Sequence, residues 1–252
     1  MSDAASLSWE ILGGNNKHHI GANSGLCVYS YTDEKGEQKK RVLLFDVGAM
    51  TGDERAPEDL SIADCDTLIP NFDRFFYKAN DSSHVPEMPV DSIFLTHNHP
   101  DHTGAIPLLI LLGYKIPKIY ATPYTACRLK QTLSAIGISS EESPEECPDI
   151  YAIAPGKPIV EGPVNVTSFW VSHSTPQSVG FFIETPEGNI LHSGDFKLDQ
   201  TVALGPAFSE DQLRRIINGK EVDLLLLDST GSRWADAPIT EEDVRKTIAK
   251  LM

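Results

Sequence analysis

Short apolar runs recur along the chain, and most of them are bounded by glycine, proline or charged residues. Runs of four to eight such residues are typical of β-strands, in which successive side chains face opposite sides of a sheet. The pattern predicts ten strands, over 7–12, 26–31, 41–46, 67–69, 91–95, 118–121, 164–171, 179–185, 189–192 and 222–227. Hairpin turns are expected at 33–37 and 186–188, where turn-forming residues separate two strands.

Four other stretches have the spacing of amphipathic or apolar helices. They cover 104–112, 124–136, 209–217 and 240–251. Gly113 and Gly137 are expected to end the first two helices, and Thr240 and Asp243 form a capping box at the start of the last. Residues 49–90 and 141–149 are predicted to be largely irregular. The alternation of strands and helices indicates an α/β protein.

The polar residues that end the strands carry most of the chemical information. Asp46, the histidine cluster at 97–102, His173, Asp195 and Asp228 each follow an apolar strand. Strands buried in one or two sheets can deliver such groups to one edge, where a rigid scaffold holds a site.

The densest group of metal-binding residues is Thr96-His97-Asn98-His99-Pro100-Asp101-His102. In an extended chain His97 and His99 face the same side. A turn at Pro100 would then let Asp101 and His102 face a second ion. This stretch is therefore predicted to form half of a two-metal centre.

Two metals about 3.5–4 Å apart need imidazoles, carboxylates and one bridging group. The expected ligands are His97, His99 and His173 for one ion, Asp101 and His102 for the other, and Asp195 as the bridge. A shared water would have its pKa lowered from about 15.7 toward roughly 7 and become a nucleophile. Nitrogen and oxygen ligands favour two Zn²⁺ ions, with Mn²⁺ as a substitute.

Composition limits the alternatives. Among 252 residues, 36 are acidic and 21 basic, for a net charge of −15, which opposes simple electrostatic binding of nucleic acid. The four cysteines are widely spaced, so neither a disulfide framework nor a zinc knuckle is indicated. The first residues do not resemble a secretory signal, and the apolar run 106–112 is too short to cross a membrane. A soluble, cytoplasmic protein is expected.

The segment His97-Asn-His99-Pro-Asp101-His102 matches the HxHxDH signature of the metallo-β-lactamase superfamily, and Asp46, His173 and Asp195 match its other motifs in order. Within that superfamily, the segments 171–180 and 189–197 resemble ribonuclease J. Leu227-Asp228-Ser229-Thr230 resembles the first motif of the β-CASP nucleases. The opening residues 12–14 and 20–23 are similar to the start of the same family.

This resemblance implies a metallo-β-lactamase αββα sandwich and zinc-dependent hydrolysis of RNA. Cleavage would be exonucleolytic from a 5′ end and also endonucleolytic. Asp101 and Asp195 would act in catalysis as metal ligands. Asp46 would accept a hydrogen bond from a ligand histidine or from nearby backbone. Asp228 would orient a further histidine.

The sequence also departs from the family, since no histidine follows His192. We expect residues 1–228 to form a metallo-β-lactamase domain that is incomplete at its C-terminus. Residues 229–252 would begin a β-CASP-like segment whose remainder is absent. The second ion, on Asp101 and His102, would then lack its last ligand, and nuclease activity of this chain alone would be in doubt.

Several alternatives stay open at this point. The chain could be a hydrolase of a small ester, thioester, lactone or β-lactam, or an inactive domain that binds metal or a partner protein. Ser174 and Ser178 could contact a substrate phosphate or could hydrogen-bond the loop that carries His173. Asp228 could cap a helix instead of supporting catalysis, and His18-His19 are read as exposed loop residues. A homo-oligomer is a further alternative.

Overall fold

A computed structural model describes residues 4–14, 21–51, 67–230 and 239–251. The chain divides into two compact units, Met1–Ala152 and Ile153–Met252. Each unit contains one large β-sheet, and helices connect some of its strands. This composition confirms the predicted α/β class.

The first unit is built on a six-stranded sheet. Its chain order is β1 Ser6–Gly13, β2 Ser24–Thr32, β3 Gln38–Phe45, β4 Met50–Thr51, β5 Thr67–Leu68, β6 Ser92–Phe94, β7 Ile119–Ala121 and β8 Ile150–Ala152. The order across the sheet is β1-β2-β3-β6-β7-β8, and β4 and β5 form a separate antiparallel pair. β1 to β3 are antiparallel, whereas β3, β6, β7 and β8 are parallel. The carboxyl ends of β3 and β6 therefore meet at one edge.

Three helices follow the parallel strands of this sheet: α1 Pro100–Thr103, α2 Ala105–Leu111 and α3 Pro123–Ala135. α2 buries Ala105, Ile106, Leu109 and Ile110. These side chains join a core that includes Leu44 and residues of β6 and β7. Burial of this apolar surface is the main force that holds the helices to the sheet.

An aromatic ladder crosses the same sheet, with neighbouring ring centroids 5.0–5.6 Å apart. Its members are Trp9, Phe45, Phe94, Tyr120 and Tyr151. The indole crosses β2 at Gly25, where a Cβ would lie only 2.2 Å from the ring. Aromatic pairs on adjacent strands stabilise a sheet and its register.

The second unit contains a five-stranded sheet. Its elements are β9 Pro158–Glu161, β10 Val164–Trp170, β11 Val179–Thr185, β12 Gly188–His192, α4 Glu210–Ile217, β13 Leu224–Leu226 and α5 Glu241–Leu251. The sheet order is β13-β12-β11-β10-β9, and only β12 and β13 are parallel neighbours. β10, β12 and β13 therefore run in the same direction.

The structure corrects several sequence-based expectations. Pro100 does not make a simple turn but begins α1, so Asp101 and His102 lie on a helix. The strands β4, β8 and β9 were not predicted. Of the predicted strand 222–227, only Leu224–Leu226 form the short edge strand β13, and Leu225 and Leu227 are more than half exposed. Among the described helices, none combines the length and apolar composition needed to span a bilayer.

Candidate metal centre

Asp46 occupies the point at which β3 ends beside β6. Phe45 and Phe94 are paired across these parallel strands, and the Asp46 N–H donates to the Phe94 carbonyl at 2.9 Å. Asp46 has a φ of 62°, a left-handed conformation that is uncommon for a residue other than glycine. Strained backbone of this kind often occurs at functional sites, where the surrounding structure maintains it.

The buried Asp46 carboxylate accepts three hydrogen bonds. Thr96 donates its backbone N–H and its hydroxyl, both at 2.8 Å, and His102 donates from Nδ1 at 2.7 Å. All three residues are at most 2% exposed. Asp46 therefore accepts from both partners that the sequence analysis considered, a histidine of the cluster and the nearby backbone.

These hydrogen bonds also determine which ring nitrogen of each histidine carries the hydrogen. Because the Thr96 hydroxyl gives its hydrogen to Asp46, it accepts from His97 Nδ1, 2.9 Å away. His102 Nδ1 donates directly to Asp46. In a neutral imidazole only one nitrogen carries hydrogen, so Nε2 of both rings keeps its lone pair. A carboxylate behind the ring is the usual support for a metal-binding histidine.

His97 and His99 bring two nitrogens together. His97 Nε2 lies 3.0 Å from His99 Nδ1, and the two rings meet edge to face. Two nitrogens bound to one zinc at about 2.0–2.1 Å lie roughly 3–3.5 Å apart. The pair therefore fits a single divalent ion, as the predicted same-side placement requires.

The turn 46–49 holds helix α1 by backbone hydrogen bonds. Val47 N–H donates to the His102 carbonyl at 2.7 Å, and Ala49 N–H donates to the Pro100 carbonyl at 3.1 Å. A Cβ on Gly48 would lie 1.8 Å from the Asp101 carbonyl oxygen, so only glycine allows this approach. Asp101 Oδ2 lies 3.5 Å from His102 Nε2. The turn thus fixes the second pair of predicted ligands.

Asn23 is a member of this cluster that sequence reasoning missed. Its side-chain nitrogen donates to Asp101 Oδ2 and to His102 Nε2, each at 3.0 Å. The only sequence signal was its place in the opening motif, which carried no role.

In the second unit, His173 and Asp195 follow β10 and β12, which run in the same direction on either side of β11. The Lys197 N–H donates to the Ser172 carbonyl at 2.8 Å and brings the two loops together. His173 Nε2 then lies 3.9 Å from Asp195 Oδ2. Both side chains are partly exposed, at 18% and 27% respectively.

Asp199 anchors the loop that carries Asp195, a role that the sequence did not reveal. Its carboxylate accepts from the Thr201 hydroxyl at 2.6 Å, the Glu241 N–H at 2.9 Å and the Thr201 N–H at 2.8 Å. These bonds, with Lys197 nearby, lower the pKa of Asp199 to about 2. Lys197 also pairs with the Glu241 carboxylate at 2.6 Å and lowers its pKa. The loop is thereby fastened to the start of α5.

Two remaining candidates, Asp228 and Ser178, form hydrogen bonds within the second unit. The Asp228 carboxylate accepts from the Thr230 N–H at 2.7 Å, and its N–H donates to Ser193 Oγ at 3.0 Å. The buried Ser178 hydroxyl donates to the Thr175 carbonyl at 3.0 Å, which matches the loop-bonding interpretation. His18 and His19 lie outside the residues that the structure describes.

The described side chains suit a divalent metal. Imidazole and carboxylate are the donors that zinc and manganese accept, and two imidazoles carry their hydrogen on Nδ1, so that the lone pair is on Nε2. The predicted ligands are divided between the two units of the chain. The first unit contains His97, His99, Asp101 and His102, and the second contains His173 and Asp195.

The chain belongs to the family described as the β-lactamase superfamily domain, whose model matches residues 69–246. Its fold is that of the metallo-β-lactamases, as the signature at 97–102 predicted. A crystal structure of a protein of unknown function from Enterococcus faecalis V583 has this fold with a TM-score of 0.63. That likeness has 17% identity and covers 98% of this chain and 57% of the other.

Among curated proteins the similarity is to enzymes named ribonuclease J. The Corynebacterium glutamicum protein is 32% identical over 216 residues, which are 86% of this chain and 27% of that protein. Ribonuclease J 1 of Streptococcus pyogenes is 30% identical over 218 residues, 86% of this chain and 34% of that protein. The chain thus spans about a third or less of these relatives. The family supports a hydrolase and implies divalent metal binding.

Proposed function

We propose that this chain is the metal-binding part of a ribonuclease that hydrolyses RNA phosphodiesters. The observation that carries the proposal is the Asp46 network, which presents Nε2 of His97 and of His102 for metal binding. The similarity to ribonuclease J over 86% of the chain supports RNA as the substrate. Cleavage from a 5′ end and internal cleavage are both part of the proposal.

We propose two divalent ions, Zn²⁺ or Mn²⁺. The ligand set is His97, His99 and His173 for the first ion, Asp101 and His102 for the second, and Asp195 between them. The order of these residues along the chain and the family match support this set. When bound, such ions lower the pKa of water and polarise a phosphate.

The chain's own residues would orient and support this chemistry. Asp46 fixes the tautomers of two ligand histidines, and the carboxylates of Asp101 and Asp195 would hold the cations that polarise the phosphate. Asp228 follows β13 at the edge where Asp195 follows the parallel β12, and it is proposed to support the site. We also propose residues 1–228 as the metallo-β-lactamase part and 229–252 as the start of the next segment.

The charge of the chain favours a second candidate, a hydrolase of a small ester, thioester or lactone. A net charge of −15 opposes long contacts with a phosphate backbone. The ribonuclease proposal therefore requires that metal ions and local contacts hold the RNA.

A substrate comparison tests the two candidates. Protein loaded with Mn²⁺ or Zn²⁺ is incubated with 5′-monophosphorylated RNA, and separately with ester, thioester, lactone and β-lactam panels. We expect RNA cleavage that is lost in His97→Ala and kept in His84→Ala, a histidine outside the proposed ligands. RNA left intact while a small substrate is hydrolysed would replace the first proposal with the second.

Metal content tests the centre itself. We expect about two ions per chain by elemental analysis after dialysis, with one ion lost in His102→Ala. One ion or fewer per wild-type chain at saturating metal would exclude the two-metal centre, whatever the activity.

A further inference from the structure

The carboxamide of Asn23 lies against the two side chains proposed for the second ion. Its nitrogen is 3.0 Å from Asp101 Oδ2 and 3.0 Å from His102 Nε2. Both atoms are hydrogen-bond acceptors, so the amide nitrogen, and not the oxygen, faces them. One side chain thus contacts the donor atoms of both proposed ligands.

The backbone of Asn23 holds this side chain in place. Its N–H donates to the Asp101 carbonyl at 2.8 Å, and its carbonyl accepts from Gly48 N–H at 3.0 Å. On the other side, a Cβ on Gly14 would lie 2.2 Å from Asn23 Oδ1, so glycine leaves the room that the carboxamide fills. Asn23 is therefore fixed to α1 and to the turn 46–49.

The two hydrogen bonds differ in how they would respond to a cation. Asp101 has two oxygens with several lone pairs, so it can accept from Asn23 and bind an ion at the same time. His102 Nε2 has a single lone pair, because Nδ1 donates to Asp46. That lone pair can accept from Asn23 or bind an ion, but it cannot do both.

We propose that Asn23 competes with the cation for His102 Nε2 at the second metal site, while its hydrogen bond to Asp101 can persist when the ion binds. This inference depends on the two-metal centre proposed above. The competition makes binding of the second ion weaker than the ligands alone would make it, because the ion must displace the hydrogen bond between Asn23 and His102.

Asn23→Ala tests the competition by measuring binding of Mn²⁺ itself. The protein is titrated with Mn²⁺, and free Mn²⁺ is followed by its electron paramagnetic resonance signal, which yields stepwise dissociation constants. Loss of one neutral hydrogen bond corresponds to about a 2- to 10-fold tighter second step, with the first step unchanged. An unchanged or weaker second step would overturn the proposal.

Asn23→Asp gives a second measurement with a side chain of the same size. A carboxylate at this position would repel Asp101 and attract the cation, so we expect an even tighter second step and a lower melting temperature in chelator. This variant also tests the proposal if Asn23→Ala does not fold. A second step no tighter than wild type would again overturn the proposal.

Asn189→Ala is the matched control, because its amide donates to the Glu221 carbonyl at 2.8 Å in the second unit, away from the proposed ligands. Both Mn²⁺ dissociation constants of this variant should match those of the wild type. Uptake of only one ion by the wild-type chain would overturn the two-metal centre together with this inference. Two ions in wild type with no change in the Asn23 variants would overturn this inference alone.

Discussion

The carboxylate of Asp46 accepts a 2.7 Å hydrogen bond from Nδ1 of His102, across 56 positions of sequence. The same oxygen accepts from the Thr96 hydroxyl, which in turn accepts from His97. One aspartate therefore controls the tautomer of two histidines, and its charge matters as much as its shape.

Asp46→Asn should reverse the tautomer of His102. If the new Oδ1 accepts from Thr96 N–H, the amide nitrogen faces Nδ1 of His102 and donates to it. The ring hydrogen then moves to Nε2, where it blocks metal binding. We expect metal affinity to fall about 10- to 100-fold, and the free energy of unfolding to fall by about 1–3 kcal/mol.

Metal titration and urea unfolding measure these two effects. Asp91→Asn is the control, because the Asp91 carboxylate also accepts a backbone N–H, from Val42 at 2.8 Å, outside the cluster. Equal metal binding by wild type and Asp46→Asn would contradict the tautomer argument.

Thr96→Val should weaken binding of the first ion. Valine has the shape of threonine but no hydroxyl, so His97 Nδ1 loses its acceptor and Asp46 loses a donor. We expect about 10- to 100-fold weaker binding of the first ion. Thr96→Ser keeps the hydroxyl and should stay close to wild type in the same titration. If Thr96→Val and Thr96→Ser bind metal equally well, the Thr96 hydroxyl does not orient His97.

Gly48→Ala should displace helix α1. The added Cβ would meet the Asp101 carbonyl oxygen at 1.8 Å and Asn23 N at 2.5 Å, so backbone must move. Overpacking of this kind costs about 1–3 kcal/mol or more. Urea unfolding should show that loss, with weaker binding of the second ion.

Gly113→Asn is the comparison for this change, because a Cβ added at Gly113 would meet nothing within 4 Å and asparagine tolerates the φ of 83° at that position. Wild-type stability in Gly48→Ala would show that the turn and α1 are not packed as closely as described.

Asp199 should make the protein sensitive to acid. Its pKa is lowered from 3.8 to about 2, chiefly by the Thr201 hydroxyl and the Glu241 N–H. Its folded form therefore favours the charged carboxylate, and the stabilisation is complete above the unfolded pKa. It disappears as the pH falls from about 4 toward 2, when the folded carboxylate becomes protonated.

Urea unfolding of wild type and Asp199→Asn measures this contribution. The variant should be less stable at pH 6, and the difference between the two should shrink below pH 4. Comparing the two chains removes the effect of the other carboxylates. A difference that stays constant down to pH 2.5 would refute the assignment.

Sequence periodicity predicted most of the strands and helices, because burial of one face requires apolar residues at regular spacing. Helix α1 shows no such spacing, since it has only four residues and begins at Pro100. β8 and β9 have only three and four residues, which are too few for a clear alternation in the sequence. The leucines of β13 suggested a buried strand, yet its place at the edge of the sheet leaves them exposed, and edge position depends on topology that a local pattern does not encode.

The residues of the candidate site likewise divide into those that the local sequence could suggest and those that it could not. The spacing of His97, His99, Asp101 and His102 is local, so sequence could suggest a shared role. Asn23 reaches Asp101 across 78 positions, and Asp199 reaches Glu241 across 42. Both are polar loop residues, and only the folded backbone shows what they contact.

The parallel pairing of β3 with β6 has a consequence for the rate of folding. The Asp46–Thr96 bond closes a loop between residues 50 positions apart. Contacts of such long range form slowly, because the chain loses loop entropy before it gains the contact. We expect the metal-binding geometry to be completed after the folding transition state. Bound metal would then slow unfolding more than it speeds folding, and would prolong the lifetime of the native chain.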